Sequence, residues 1–265
     1  MRYLPIFNLH RRLEVRLLDG WLEDSSGHKV VDVGCGRIPY AVKLPWASVT
    51  AMDMSVEAVT AAQRVTKHLG LDRTFAYVVG CATQVPLRDG SVDGVICNCV
   101  LEHIVEDGLA LQEMHRVLKP DGFLFLTVDC DERQLALGWV ERFPAWAKRL
   151  LLNAPVASGC TVKEGLLSHL DHRYEVVRRY SERMLGSDLE KQGFEVVNNS
   201  YYLVGLGAAV FEAAHAFKFM DVERGLSRMV YWFISVFAYP LVILTERGDR
   251  KGHGLAFLAV KKARE

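Results

Sequence analysis

Five short apolar runs alternate with helix-period stretches between residues 29 and 128, and this alternation limits the chain to very few architectures. The runs cover 29–33, 49–52, 75–79, 92–97 and 123–128. They show little polar alternation, the pattern of strands buried on both faces. Ser55 is placed to cap a helix that runs to about residue 69, with Gly70 beyond its end. A second helix is expected from about 105 to 118, and Lys119-Pro120-Asp121-Gly122 reads as a turn. Strand–helix alternation of this kind predicts an α/β fold, a doubly wound Rossmann-like parallel sheet. Ligands of such sheets bind beyond the carboxyl ends of the strands, which draws attention to 34–40, 53–55, 80–84, 97–103 and 129–131.

Outside this block the pattern changes. The first 24 residues read as an amphipathic helix, with Leu9, Leu13, Leu17 and Trp21 at four-residue spacing. Residues 130–180 are mainly helical and read as a cap insertion. A helix over 181–192 ends at Gly193, and 194–202 and 255–261 are further strands. An apolar helical insertion, 203–252, lies between them. The expected organisation is one domain over 1–265, with an N-terminal helical segment in 1–28.

Lys and Arg total 32 and so do Asp and Glu, which argues against a strongly basic nucleic-acid binder. Cys35, Cys81, Cys97, Cys99, Cys130 and Cys160 form no CxxC pair and no zinc spacing. They read as small hydrophobes of a reducing cytoplasm, and no metal is expected.

Val30-Val31-Asp32-Val33-Gly34-Cys35-Gly36 runs a strand into a glycine turn, where the backbone can approach a ligand closely. Asp53 closes the second strand 17 residues after Gly36, the place of an acid that accepts ribose hydroxyls. A dinucleotide site wants a third glycine, but Pro39 stands there and has no N–H for a pyrophosphate. Asp32 is placed to hold the glycine loop or an amino group of a zwitterionic ligand. These features favour an adenosine cofactor without a pyrophosphate.

On these residues the chain resembles a class I S-adenosylmethionine-dependent methyltransferase of the quinone and small-molecule group. The resemblance runs through VVDVGCG (30–36), AMDMS (51–55), GCATQVPLRDGSVDGVICNCVLEH (80–103) and HRVLKPDGFLFLTV (115–128). It implies a seven-stranded sheet whose last strand is antiparallel and inserted between the fifth and sixth. It implies S-adenosylmethionine as cofactor and S-adenosylhomocysteine as product. Asp32, Gly34, Cys35 and Gly36 would hold the methionine end, Asp53 the ribose, and Met54 the adenine face. The adenine amino group usually meets an aspartate where Cys81 stands, so recognition falls to backbone groups of Cys81 and Ala82. Cys97 and Asn98 complete the implied cofactor set. The Gly-Cys-Gly-x-x-Pro-Tyr variant at 34–40 resembles methyltransferases of cell-surface glycan and lipid pathways.

Methyl transfer needs alignment above all, and a base only for a poor nucleophile. His103, just past strand four, is placed to be that base or to be a satisfied structural histidine. Ser168 to Tyr174 is the densest polar cluster, and with Arg178, Tyr180 and Ser181 it resembles an acceptor lid. His172 and Tyr180 are therefore candidates for orienting the acceptor, against a plain solvated loop.

Residues 229–245 carry no charge, yet 17 residues are short for a span, and Pro240 breaks the helix. Across 205–247 three readings stay open: a cap over an apolar pocket, a homodimer surface, or a helix in the inner membrane interface. The expected protein is a cytoplasmic or membrane-peripheral methyltransferase with a hydrophobic, lipid- or glycan-linked acceptor, methylated on oxygen or carbon. Two alternatives remain: a catalytically silent partner subunit, which Cys81 and Pro39 motivate, and an NAD-linked oxidoreductase. Nucleic acid is disfavoured by the charge balance and by Cys97-Asn98-Cys99-Val100 where a base-flipping Asn-Pro-Pro-Tyr would stand.

Overall fold

A computed structural model describes residues 9–22, 26–43, 45–131, 176–205, 207–208, 242–244 and 252–262. The chain divides into two compact units. One comprises Met1–Glu14, Cys130–Val177 and Tyr201–Gly254, the other Val15–Asp129, Arg178–Ser200 and Leu255–Glu265.

The described strands are β1 (Lys29–Val33), β2 (Ser48–Asp53), β3 (Phe75–Val79), β4 (Val92–Asn98), β5 (Leu118–Asp129), β6 (Phe194–Tyr202) and β7 (Gly254–Lys261). They form one seven-stranded sheet in the order β3-β2-β1-β4-β5-β7-β6. The pairs β1–β2, β2–β3, β1–β4 and β4–β5 are parallel, and β7 is antiparallel. The order reverses between β1 and β4, so the switch-point crevice opens beyond their carboxyl ends. This is the expected doubly wound sheet, with its last strand inserted before the sixth.

Burial follows position in the sheet. Central β1 and β4 are buried along almost their whole length, while edge strand β6 is exposed through its middle. One face carries Ile96, Phe123 and Phe125, on which Trp46 stacks and Trp21 stands edge-on. Gly94 makes room for this layer, since a Cβ there would lie 2.2 Å from the Phe123 ring.

Four helices are described: α1 (Leu9–Trp21), α2 (Val56–His68), α3 (Asp107–Val117) and α4 (Glu182–Lys191). Ser55 and Ser181 cap α2 and α4 by accepting from Ala58 N and Met184 N, each at 3.2 Å. Gly70 and Gly193 follow those two helices in the left-handed region, at φ 71° and 87°. α3 begins at Asp107, two residues after the position the hydrophobic period predicts, and the Asp107 carboxylate accepts the Gly108 N–H at 2.9 Å. Lys261 Nζ reaches the other end, donating to His115 O and Leu118 O at 2.8 and 2.6 Å.

Two local expectations need correction. The turn at 119–122 does not precede β5 but loops out of it: Val92 pairs with Leu118 and Gly94 with Phe123. Asp121 takes φ 61° in that excursion. The four-residue stripe of α1 is also incomplete, since Leu18 and Glu14 are buried beside Leu13. Glu14 is tolerated there because the Tyr202 hydroxyl donates to its carboxylate at 2.6 Å.

Among the described residues no helix is long and apolar enough to cross a membrane, and Cys35, Cys81, Cys97, Cys99 and Cys130 are free thiols. Cys160, His172 and most of 130–180 and 205–247 lie outside the described residues.

Candidate functional site

The glycine turn leaves β1 as a locked structure. Gly34 and Gly36 sit at φ 69° and 59°, and Cys35 N donates to Met52 O at 2.9 Å, tying the turn to β2. The two glycines serve different ends. A Cβ on Gly34 would fall 2.3 Å from Val100 Cγ2, so this glycine permits the chain leaving β4 to pass. A Cβ on Gly36 would meet nothing within 4 Å, so Gly36 faces open space.

Asp53 joins the turn to the start of α2. Its Oδ2 accepts from Gly36 N and its Oδ1 from Ser55 N, both at 2.9 Å. Each oxygen keeps lone-pair capacity, so a fixed carboxylate is presented at the end of β2. Asp32, fully buried, accepts the Ala41 N–H at 3.1 Å and so holds the loop that carries Pro39.

Beyond Asp53 the surface turns apolar. Met54 is 79% exposed and Val79 49%, a large exposure for such side chains. Gly80 N donates to Asp53 O at 3.1 Å, which sets Cys81 and Ala82 beside this surface. The Cys81 thiol is exposed and lies 3.1 Å from Thr83 Oγ1. The segment that follows is fastened by Arg116. Its guanidinium donates to Val85 O and Leu87 O at 2.8 and 2.9 Å and to the carboxylates of Glu113 and Asp89. Arg116 holds the Glu113 carboxyl below the usual range.

At the end of β4 the site becomes polar and buried. Cys97 is fully buried; desolvation, then the charges of Glu102 and Asp32, push its thiol up, so it stays protonated. Asn98 is 5% exposed, and neither its Oδ1 nor its Nδ2 has a hydrogen-bond partner. Cys99 follows at φ 52°, with its N–H on Thr127 O at 2.9 Å. Then comes a short 3-10 turn, Leu101–His103, in which Glu102 is buried and His103 exposed.

The segment before α4 pins that turn. Arg178 N donates to Glu102 O at 3.1 Å, and Arg178 Nη1 and the Tyr180 hydroxyl donate to Asp107 Oδ2 at 2.6 and 2.7 Å. Tyr180 is fully buried, and burial, then its bond to Asp107, raises its phenol well above the usual range.

The cofactor-set residues Asp32, Gly34, Cys35, Gly36, Asp53, Met54, Cys81, Ala82, Cys97 and Asn98 thus gather around the carboxyl ends of β1, β2, β3 and β4. Of the candidates for chemistry, His103 lies on the turn after β4 and Tyr180 bonds to Asp107. Sequence reasoning missed the burial of Glu102 and the anchoring carboxylate of Asp107, whose partners Arg178 and Tyr180 lie 71 and 73 residues away. Among the described residues no three His, Cys, Asp or Glu cluster as metal ligands.

The donor set fits S-adenosylmethionine: open backbone at Gly36, a fixed acceptor at Asp53, an apolar shelf at Met54 and Val79, and an unsatisfied buried amide at Asn98.

Comparison with known proteins agrees. Residues 31–126 match the family model described as Methyltransferase domain. The chain is 32% identical over 114 residues to the ubiquinone biosynthesis O-methyltransferase of Azotobacter vinelandii, covering 40% of this chain and 48% of that protein. It is 33% identical over 103 residues to the demethylmenaquinone methyltransferase of Staphylococcus haemolyticus, covering 37% of this chain and 42% of that one. The chain thus spans about half the length of the curated relatives it matches. Among solved structures, the [4+2]-cyclase SpnF superposes with TM-score 0.63 at 19% identity, over 96% of this chain and 82% of that one.

Proposed function

We propose that the chain is a class I S-adenosylmethionine-dependent methyltransferase, as the match of residues 31–126 to the Methyltransferase domain model supports, and that it methylates a hydrophobic, ring- or lipid-linked small molecule on oxygen or carbon. The observation that carries the reading is the glycine turn closed onto Asp53, open at Gly36 and followed by an apolar shelf.

When bound, S-adenosylmethionine supplies an electrophilic methyl group on a sulfonium. The chain's own contribution is placement. Asp53 offers a lone pair on each oxygen to the ribose hydroxyls while its backbone bonds keep it still. Met54 and Val79 take the flat face of the adenine, and backbone groups of Cys81 and Ala82 take its edge. His103, which is exposed, accepts the proton of a hydroxyl or carbon-acid acceptor and passes it to water. Tyr180 and Arg178 act through Asp107 and Glu102 to hold the turn that carries His103, and are positioning residues. His172 is assigned to orienting the acceptor. Pro39 in place of a third glycine speaks against NAD as the cofactor.

The acceptor class rests on the relatives named for ubiquinone and demethylmenaquinone chemistry and on the uncharged run at 229–245. That run suits an apolar pocket, a contact between two copies, or a peripheral contact at the inner membrane face. The test is incubation with methyl-labelled S-adenosylmethionine and a bacterial lipid extract. Label entering the organic phase with wild type but not with Asp53→Ala supports the reading. Label confined to the aqueous phase contradicts a hydrophobic acceptor. A second reading, a catalytically silent cofactor-binding or partner subunit, is favoured by Cys81 where the adenine amino group usually meets an aspartate and by Pro39 in the glycine turn. Tight cofactor binding with no labelled product in any extract would select it.

A further inference from the structure

We propose that Glu113 and Arg116 are positioning residues for base recognition: from α3 they hold the turn at 81–84 so that its backbone tells adenine from other purines; the inference rests on the cofactor reading above. The turn closes on itself, with Gln84 N donating to Cys81 O at 3.0 Å, and it is anchored at both ends. Ahead of it, Gly80 N donates to Asp53 O at 3.1 Å. A Cβ on Gly80 would lie 3.1 Å from Met52 Sδ and from Pro86 Cδ, so the two ends of the turn pack against each other. Behind it, Val85 is held through both backbone groups. Its N–H donates to Glu113 Oε2 and its carbonyl accepts from Arg116 Nη2, each at 2.8 Å. Arg116 Nη1 extends the grip to Leu87 O at 2.9 Å.

Glu113 and Arg116 work as a unit. They stand three residues apart on α3, and Arg116 Nε and Nη2 donate to Glu113 Oε1 and Oε2 at 2.6 and 2.7 Å. This two-point pairing fixes both side chains in one geometry. Asp89 adds a bond to Arg116 at 2.6 Å, but its side chain is 81% exposed against 19% for Glu113, so Asp89 contributes little. A lysine at 116 would bring the charge without the planar fork that reaches Val85, Leu87 and Glu113 together.

The clamp matters because of Cys81. A carboxylate at that position could follow the amino group of the base by rotating its side chain. The thiol is a poor acceptor and lies 3.1 Å from Thr83 Oγ1. Base recognition then falls to peptide groups of Cys81 and Ala82, which move only with the turn. A hydrogen bond weakens steeply as its angle degrades. The choice between an amino group and a carbonyl at the purine edge therefore depends on how firmly Val85 is held.

The test is calorimetric titration of the full chain with S-adenosylhomocysteine and with S-inosylhomocysteine, which has a carbonyl where adenine has its amino group. Wild type is expected to prefer the adenosyl ligand about 10- to 100-fold. Arg116→Met keeps an apolar stem and removes the guanidinium. It is expected to cut the preference below about threefold, with adenosyl affinity falling and inosyl affinity held. Arg116→Lys restores the charge alone, and Glu113→Gln keeps an acceptor for Val85 N but loses the ion pair; both are expected to fall between wild type and the methionine variant. Retained inosyl binding shows that a variant is folded. A pair that only stabilises the fold would weaken both ligands alike, so a preference unchanged in the variants overturns the assignment. Where Arg116→Met binds neither ligand, the preference in Arg116→Lys and Glu113→Gln decides by the same criterion. Wild type that binds neither ligand overturns the cofactor reading as well. Wild type that binds both equally overturns base recognition by the turn, and the clamp with it, while the cofactor reading stands.

Discussion

Replacing Gly34 by alanine puts a methyl group 2.3 Å from Val100 Cγ2, 3.0 Å from its Cγ1 and 3.2 Å from its Cβ, on a backbone at φ 69°. Two penalties arise, and they are separable. A left-handed conformation costs an alanine about 1 to 2 kcal/mol more than a glycine. The collision is overpacking between two chain segments that cannot both move, worth about 1 to 3 kcal/mol. The sum, roughly 2 to 5 kcal/mol, corresponds to a fall of about 5 to 15 °C in melting temperature for a chain of this size. Val100→Ala removes both γ-carbons and with them the worst contacts, but leaves φ as it is. The double variant is therefore expected to recover about half of the loss, a favourable coupling of roughly 1 to 3 kcal/mol. Thermal unfolding of the four proteins, read by tryptophan fluorescence, measures this cycle. A Gly34→Ala protein that melts with wild type, or a double variant no better than the sum of the singles, would refute the close approach of the glycine turn to Val100.

Asp53→Asn keeps the size but weakens both backbone bonds and the ribose contact; a loss of about 10- to 100-fold in S-adenosylhomocysteine affinity is expected by calorimetry. Glu113 is held by Arg116 below its ordinary value of 4.5, so its stabilisation is present above that pH and disappears as pH falls through the lower folded value. The melting-temperature gap between wild type and Glu113→Gln should therefore be full at neutral pH and shrink as pH falls below the ordinary value of 4.5; a gap unchanged by pH would count against it. Cys81 is the most exposed of the described cysteines, and iodoacetamide followed by peptide mass mapping should label it ahead of Cys35, Cys97 and Cys130, with S-adenosylhomocysteine slowing the reaction. Tyr180→Phe breaks one bond to a carboxylate, so a loss of about 1 to 3 kcal/mol in stability is expected with the affinity for S-adenosylhomocysteine retained.

Much of the parallel block was legible because its signals are local. Glycines at left-handed positions, the acid that closes β2 and the serine caps each constrain their own neighbourhood, and β1, β3 and β6 fall on the expected residues. The order of the strands is a tertiary fact, and it became legible only through the family resemblance. What stayed hidden depends on partners far along the chain. The burial of Glu102 beside the thiol of Cys97, the bond from Tyr180 to Asp107 and the burial of Glu14 under Tyr202 have no counterpart in periodicity. The excursion of β5 at 119–122 looked like a boundary because Pro120 and Gly122 mark turns, whether a strand ends there or resumes. Asn98 was legible as the polar residue that closes an apolar strand; its unsatisfied amide required the packing around it.

The most direct measurement is calorimetric titration of the purified chain with S-adenosylmethionine and S-adenosylhomocysteine, with NAD as control. Micromolar binding of both adenosyl ligands at one site per chain is expected, with no heat from NAD. Binding of NAD, or no binding of either adenosyl ligand, would contradict it.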